Sequence, residues 1–78
     1  MVGRHQKIRA LRLKYEAEIA EARADIENYL ENSVGVAEHP RIIESLDGLI
    51  SSLANSEDKL RCLTHYFETT LYKENKKL

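Results

Sequence analysis

The chain has 78 residues, a net charge of −1 and a single cysteine, Cys62. This length predicts one small domain, and the near-zero net charge favours neither nucleic acid nor a membrane surface as a partner. A single cysteine excludes an internal disulfide, which fits a reducing compartment. Since no apolar run approaches the ~18 residues of a membrane span, we expect a cytoplasmic protein that does not enter membranes.

The first predicted element is a helix over about residues 5–31. Strong helix formers fill this stretch, which contains neither glycine nor proline. Its apolar residues recur every three or four positions in an eleven-residue repeat: Ile8, Leu11, Tyr15, Ile19, Ala22, Ile26 and Leu30. That repeat, about 3.67 residues per turn, predicts a nearly straight helix beside its partner.

Residues 32–39 read as the connection between two helices. Asn32 and Ser33 compete for backbone hydrogen bonds, and Gly35 can adopt a positive φ. We expect the neighbouring valines to cover the end of a hairpin. Pro40 then suits the first position of a second helix, where its missing N–H is not needed.

The second helix is predicted over about residues 40–74, and it carries the strongest pattern in the chain. Three heptad rows lie on one face: Leu46, Leu53, Leu60 and Phe67 at a; Ile42, Leu49, Ser56, Leu63 and Thr70 at d; Ile43, Ile50, Glu57, Thr64 and Leu71 at e. Such a stripe is typical of a helix that packs against other helices.

A polar interruption lies in the middle of this stripe. Asn55 and Ser56 resemble a helix start, so a break here and a three-helix chain are one alternative. The a row keeps its phase from Leu53 to Leu60, which favours one continuous helix. Ser56 and Glu57 would then fix the register of the seam at some cost in stability.

These patterns predict an all-α fold, an antiparallel, coiled-coil-like helical hairpin. The stripe is wider than a two-stranded seam needs, so we expect a homodimer that forms a four-helix bundle, or else binding to another helical protein. The predicted oligomer interface consists of Leu46, Leu49, Ile50, Leu53, Leu60, Leu63, Phe67 and Leu71.

The sequence contains no pattern typical of catalysis, so we expect neither an enzyme nor a cofactor. His5, His39 and His65 stand far apart without a second cysteine, which disfavours a metal site. Five carboxylates of the first helix are expected on a solvated face: Glu16, Glu18, Glu21, Asp25 and Glu27. Cys62, at heptad position c, is expected to be an incidental thiol.

Charge is strongly divided along the first helix. Residues 1–14 carry five basic side chains and no acid, whereas residues 15–31 carry six acids and one arginine. The basic side chains are Arg4, Lys7, Arg9, Arg12 and Lys14, and in a hairpin residues 73–77 return to the same end. This basic end either contacts an acidic stretch of another copy or binds nucleic-acid phosphates, so a small nucleic-acid-binding accessory protein is the alternative function.

The stretch from Asn28 to Pro40 and the Ile-Ile-Glu helix after it resemble a family of small uncharacterised proteins from tailed phages of marine cyanobacteria. That family has an N-x-V-G-[VI]-G-E-H-[SP] turn between two helices, and Ala37 stands here at its second glycine. The resemblance implies a helical hairpin in a phage-infected host cell. It implies no activity, cofactor or site residue.

Overall fold

The computed structural model describes residues 3–32 and 41–68, which form two helices packed against each other. Helix α1 spans Arg4–Glu31 and helix α2 spans Ile42–Leu63, and a π-helical segment, Thr64–Glu68, continues α2 directly. No strand occurs within the described ranges. The predicted all-α fold with two paired helices is therefore confirmed.

Helix α1 has defined hydrogen bonds at both ends. Gly3 occupies the N-cap position, where its N–H donates to Oε1 of Gln6 at 3.2 Å and its carbonyl accepts from Lys7 N–H at 3.1 Å. The helix ends where Asn32 N–H donates to the Asn28 carbonyl at 2.9 Å. With 28 residues, α1 is about 42 Å long, at about 1.5 Å per residue.

Helix α2 runs without a break through Asn55 and Ser56. Its first turn forms as Ser45 N–H donates to the Arg41 carbonyl at 3.0 Å. At its end the Thr64 hydroxyl donates to the Arg61 carbonyl at 3.1 Å. Leu53 and Leu60 consequently stay on one helix, with the polar Ser56 between them in the seam.

The π-helical segment changes the heptad pattern. A π-turn closes i→i+5 hydrogen bonds and accommodates more residues per turn than an α-helix, so residues within it leave the phase set by α2. Phe67, which the heptad places at position a, is 51% exposed. Phe67 was expected to pack beside the seam, and about half of its surface remains exposed there.

Contacts at two levels establish that the helices run antiparallel. At one end, Arg4 Nη2 donates to the Phe67 carbonyl at 3.2 Å, and Arg12 Nε lies 3.5 Å from a carboxylate oxygen of Glu68. Halfway along, Ser56 contacts Glu18. The start of α1 thus meets the end of the α2 rod, as a hairpin requires.

The hydrophobic core between the helices is small. Ala22, Ile26 and Leu63 are the buried hydrophobic residues among those described. Burying a Leu or Ile side chain contributes about 1.5–3 kcal/mol, whereas ordering each residue costs about 1–2 kcal/mol in backbone entropy alone. The two helices alone therefore gain little stability from their shared core.

Several expectations lie outside the described residues. These are the turn over 33–39, the start of the second helix at Pro40, its continuation over 69–74, the interface residue Leu71 and the basic residues of 73–77.

Replacing Gly48 with alanine should stabilise the protein. Gly48 lies inside α2, and a Cβ added there meets no atom within 4 Å. Since alanine loses less backbone entropy in a helix, the free energy of unfolding should rise by about 0.5–1 kcal/mol. Urea denaturation followed by circular dichroism measures this change.

Gly3→Ala is the matched control, because Gly3 also has open space around its Cβ position but serves as the N-cap of α1. Glycine is preferred over alanine at an N-cap, so no gain is expected. No gain from Gly48→Ala would contradict the place of Gly48 inside the helix, and a gain from Gly3→Ala as large as that from Gly48→Ala would contradict the N-cap role of Gly3.

Candidate functional site

The centre of the seam holds a polar contact. Ser56 is only 7% exposed, and its hydroxyl donates to Oε1 of Glu18 at 3.1 Å. The other carboxylate oxygen of Glu18 lies 2.6 Å from Lys14 Nζ, one helical turn earlier in α1. Glu18 therefore lies at the edge of the seam with its side chain 34% exposed, so the solvated face on which it was expected is only partly open to water at this position. The cause is Ser56, which offers a hydroxyl where a leucine would exclude a carboxylate.

A second cation completes this layer. Lys59 Nζ lies 5.9 Å from the centroid of the Tyr15 ring, within the range of a cation–π contact. Lys59 also lies near enough to Glu18 to favour its charged form. The Lys59 ammonium thus lies over the half-buried Tyr15 ring and close enough to Glu18 to interact with its charge.

These neighbours change the acidity of both members of the ion pair. Hydrogen bonds from Lys14 and then from Ser56 lower the pKa of Glu18 below its ordinary value, and partial desolvation opposes this effect. The same hydrogen bond and charge raise the pKa of Lys14 above 10.5. Both groups are therefore charged across the neutral range, and the layer is held together electrostatically.

One side of the seam is polar. Side chains from both helices line a groove there, which we call the polar groove: Glu18, Glu21, Asp25, Ser52, Asn55 and Lys59. Within the described ranges no group of histidine, cysteine, aspartate and glutamate side chains is placed to hold a metal ion. The Ser56 hydroxyl that bonds the Glu18 carboxylate also lines this groove, and none of the described groove residues is a histidine or a cysteine.

The other side of the seam is apolar. Each residue turns a helix by about 100°. On α1, Glu18 lies to one side of Ala22 and faces the polar groove, and on α2 Lys59 lies to the same side of Ser56. Side chains on the opposite side of Ala22 and of Ser56 therefore point away from the polar groove. We call this surface the apolar face, and its members are Ile19, Leu30, Ile43, Leu46, Ile50 and Leu53.

The apolar face is only partly covered by the hairpin itself. Ile43 is 71% exposed, Ile50 48% and Leu30 61%, while Ile19, Leu46 and Leu53 are half-buried at its inner edge. The d row of α2 faces α1, so the e row turns out toward solvent. The apolar face therefore leaves large side chains from both helices in water.

The predicted interface residues are divided between the seam and the surface. Leu63 is 6% exposed and packs inside the hairpin, and Leu46, Leu49, Leu53 and Leu60 are half-buried. Ile50 and Phe67 are exposed, as is Ile43, which the predicted interface lacked. The heptad e position of Ile43 was the signal that could have included it.

The contribution of α1 to the apolar face was also absent from the prediction. Ile19 and Leu30 both belong to the eleven-residue repeat. Ile19 is half-buried and Leu30 is exposed, and both side chains lie on the same flank of the helix. A helical wheel of α1 alone cannot find them, because the flank that α2 covers is known only when the two helices are packed together.

The basic end is partly occupied by contacts within the chain. Arg4 bonds the Phe67 carbonyl, Arg12 pairs with Glu68 and Lys14 pairs with Glu18. Lys7 and Arg9 are exposed and form no ion pair with another described residue. Among the described residues, the five basic side chains of the first helix are therefore not all free to bind phosphates.

Cys62 is an exposed thiol with no disulfide partner among the described residues. Neither described helix is long and apolar enough to cross a bilayer. Comparison with protein-family models finds no match for this chain, and comparisons with curated proteins and with solved structures find none either. The function must therefore be inferred from the two faces of the hairpin.

Ser56→Ala should raise the pKa of Glu18, because it removes one of the two hydrogen bonds that favour the carboxylate. The rise should be partial, since Lys14 remains. NMR titration of the Glu18 carboxyl carbon measures it. Ser52→Ala is the control, one turn earlier on α2 and exposed, and it should leave the pKa of Glu18 unchanged.

The same shift predicts the pH dependence of stability. The folded-state pKa of Glu18 lies below its ordinary value of 4.5, so its stabilisation is present above that pH and is lost as pH falls through the folded value. Urea unfolding between pH 7 and pH 3 should therefore show a smaller loss in Ser56→Ala than in the native protein. An equal loss in both would show that the Ser56 hydroxyl does not act on Glu18.

Proposed function

We propose that this protein is a non-enzymatic oligomerisation module in which two hairpins pair through their apolar faces to form a four-helix bundle. The observation that carries this proposal is the exposure of Ile43 and Ile50 on the side of α2 that α1 does not cover. Two turns of helix separate these side chains, so they form a stripe and not scattered exposed residues.

The extent of the apolar face supports assembly over a monomeric role. Leu30 of α1 adds a large exposed side chain, and Leu46 and Leu53 are each only half-buried beside it. Soluble monomers rarely expose more than a few hundred Å² of contiguous apolar surface. Since the seam buries few large side chains, the burial that a partner supplies would form a large share of the total stability.

A second copy is the simplest partner. The apolar face contains residues from both helices, so two copies bury all four helices with one self-complementary contact. A different helical protein would need a matching two-helix surface of its own. The partner is therefore a second copy, and a heterologous helical protein is the alternative that the oligomeric state of the purified protein tests.

Ile50→Glu should dissociate the dimer. A carboxylate in the centre of the apolar face would lose its hydration on assembly without gaining a partner. Leu13→Glu is a close control, since Leu13 is 50% exposed and Ile50 48%, but Leu13 lies on the back of α1. Light scattering after gel filtration should give about twice the chain mass of 9.0 kDa for the native protein and for Leu13→Glu.

For Ile50→Glu the measured mass should fall to that of one chain, with reduced helicity by circular dichroism. The melting temperature of the native protein should also rise with protein concentration, as mass action requires when folding and association are coupled. A native monomer that stays folded at micromolar concentration, or equal behaviour of the two glutamate variants, would overturn the proposed function.

A further inference from the structure

We propose that the second copy docks with a two-fold axis running across the helices, so that α1 lies antiparallel on α1 of its partner and charged pairs flank the contact. This inference rests on the proposed function, and it specifies how the two apolar faces meet. The axis would pass near Ile19, the half-buried isoleucine near the middle of α1 on this flank.

Two arrangements bring the apolar faces together. If the two-fold axis runs along the helices, α1 lies on α2 of the partner and equivalent ends of the two hairpins coincide. If the axis runs across the helices, α1 lies on α1, α2 lies on α2, and opposite ends coincide. Apolar contact alone does not choose between them, because both helices contribute to the apolar face.

The charge distribution along α1 chooses between these arrangements. Residues 4–14 carry a net +5 from five basic side chains without an acid, and residues 15–31 carry a net −5 from six acids and one arginine. With coincident equivalent ends, both basic halves lie at one end of the bundle, and each faces a stretch of α2 and the π-helical segment, residues 57–68, that carries three acids and two basic side chains. An axis across the helices places each basic half against the acidic half of the partner, twice by symmetry.

A specific pair of side chains tests this register. With Ile19 against the partner's Ile19, Arg23 lies within one residue, about 1.5 Å along the axis, of the level of the partner's Glu16, and the symmetry makes the same pair a second time. Both side chains are exposed, lie on the flank of the apolar face, and form no ion pair with another described residue. They are seven residues apart on α1, about 10 Å, too far for a direct contact within one helix.

Charge reversal at these two positions should weaken the dimer singly and restore it when combined. Glu16→Arg and Arg23→Glu should each raise the dimer dissociation constant about tenfold at low salt, since each turns both symmetric pairs into repulsive ones. The double variant should return to within about threefold of native. Sedimentation equilibrium measures all four proteins, and added salt should reduce the differences.

Effects within one helix cannot produce this rescue. Glu16→Arg places an arginine four residues after Arg12, and Arg23→Glu places an acid four residues before Glu27. Both new like-charge pairs persist in the double variant and slightly destabilise the helix. Glu21→Arg is the control with the same charge change on the polar groove side, and it should change the dissociation constant less than about threefold.

Cross-linking gives a second measurement that needs no charge change. In a Cys62→Ser background, Ile19→Cys should oxidise to a disulfide-linked dimer, because the axis brings this position near its own copy. Leu30→Cys should not, since two copies of position 30 would lie about 30 Å apart at about 1.5 Å per residue. Efficient cross-linking at position 30 would overturn the arrangement with the axis across the helices, because it requires equivalent ends to lie together.

The outcomes separate this inference from the proposed function. A native dimer whose double variant is as weak as the two single variants combined, about 100-fold, overturns the antiparallel arrangement and leaves the oligomerisation module intact. A native protein that is monomeric at every concentration overturns both. A dimer with rescue and with cross-linking at position 19 establishes the arrangement.

Discussion

The hydrogen bond from Ser56 to Glu18 constrains the rotation of both helices, because it requires Ser56 to face α1 and Glu18 to face α2. Ser56 carries a hydroxyl that is almost fully covered, so it needs a partner inside the seam. Glu18 provides that partner from the opposite helix. With Ser56 turned toward α1, the d row of α2 fills the seam, and the e row with Ile43 and Ile50 points outward. This polar pair and the apolar side chains of the d row share the seam, and Ile43 and Ile50 remain outside the hairpin.

The fold was largely predictable from the sequence, because it depends on local helix propensity and on one long heptad pattern. The unbroken α2 follows from the phase that Leu53 and Leu60 share across Ser56. The position of Glu18 was not predictable from α1 alone. Its neighbours along the helix are mostly charged or small, which is typical of a solvated face, and only the serine on the other helix brings it into the seam. Pairing between helices is a property that a one-helix pattern does not contain.

The candidate site was predicted in part for the same reason. The width of the stripe on α2 predicts more apolar side chains than one neighbouring helix can cover, and in the hairpin Ile50 is exposed. The sequence could not show that Leu63 lies inside the hairpin, or that Leu30 belongs to the outer surface. Both depend on how far each helix is rotated about its own axis, and tens of degrees separate a seam position from a surface position.

The π-helical segment Thr64–Glu68 amounts to one extra residue inserted into an otherwise α-helical rod. Within it, the sequence moves one position out of the heptad phase that α2 follows up to Leu63. Because this wide turn absorbs the extra residue, straightening it into an α-helix with the same number of residues would turn Phe67 and Glu68 by up to about 100°. The Phe67 carbonyl and the Glu68 carboxylate, which now meet Arg4 and Arg12, would then point elsewhere. The number of residues in this wide turn therefore determines how the π-helical segment contacts the start of α1.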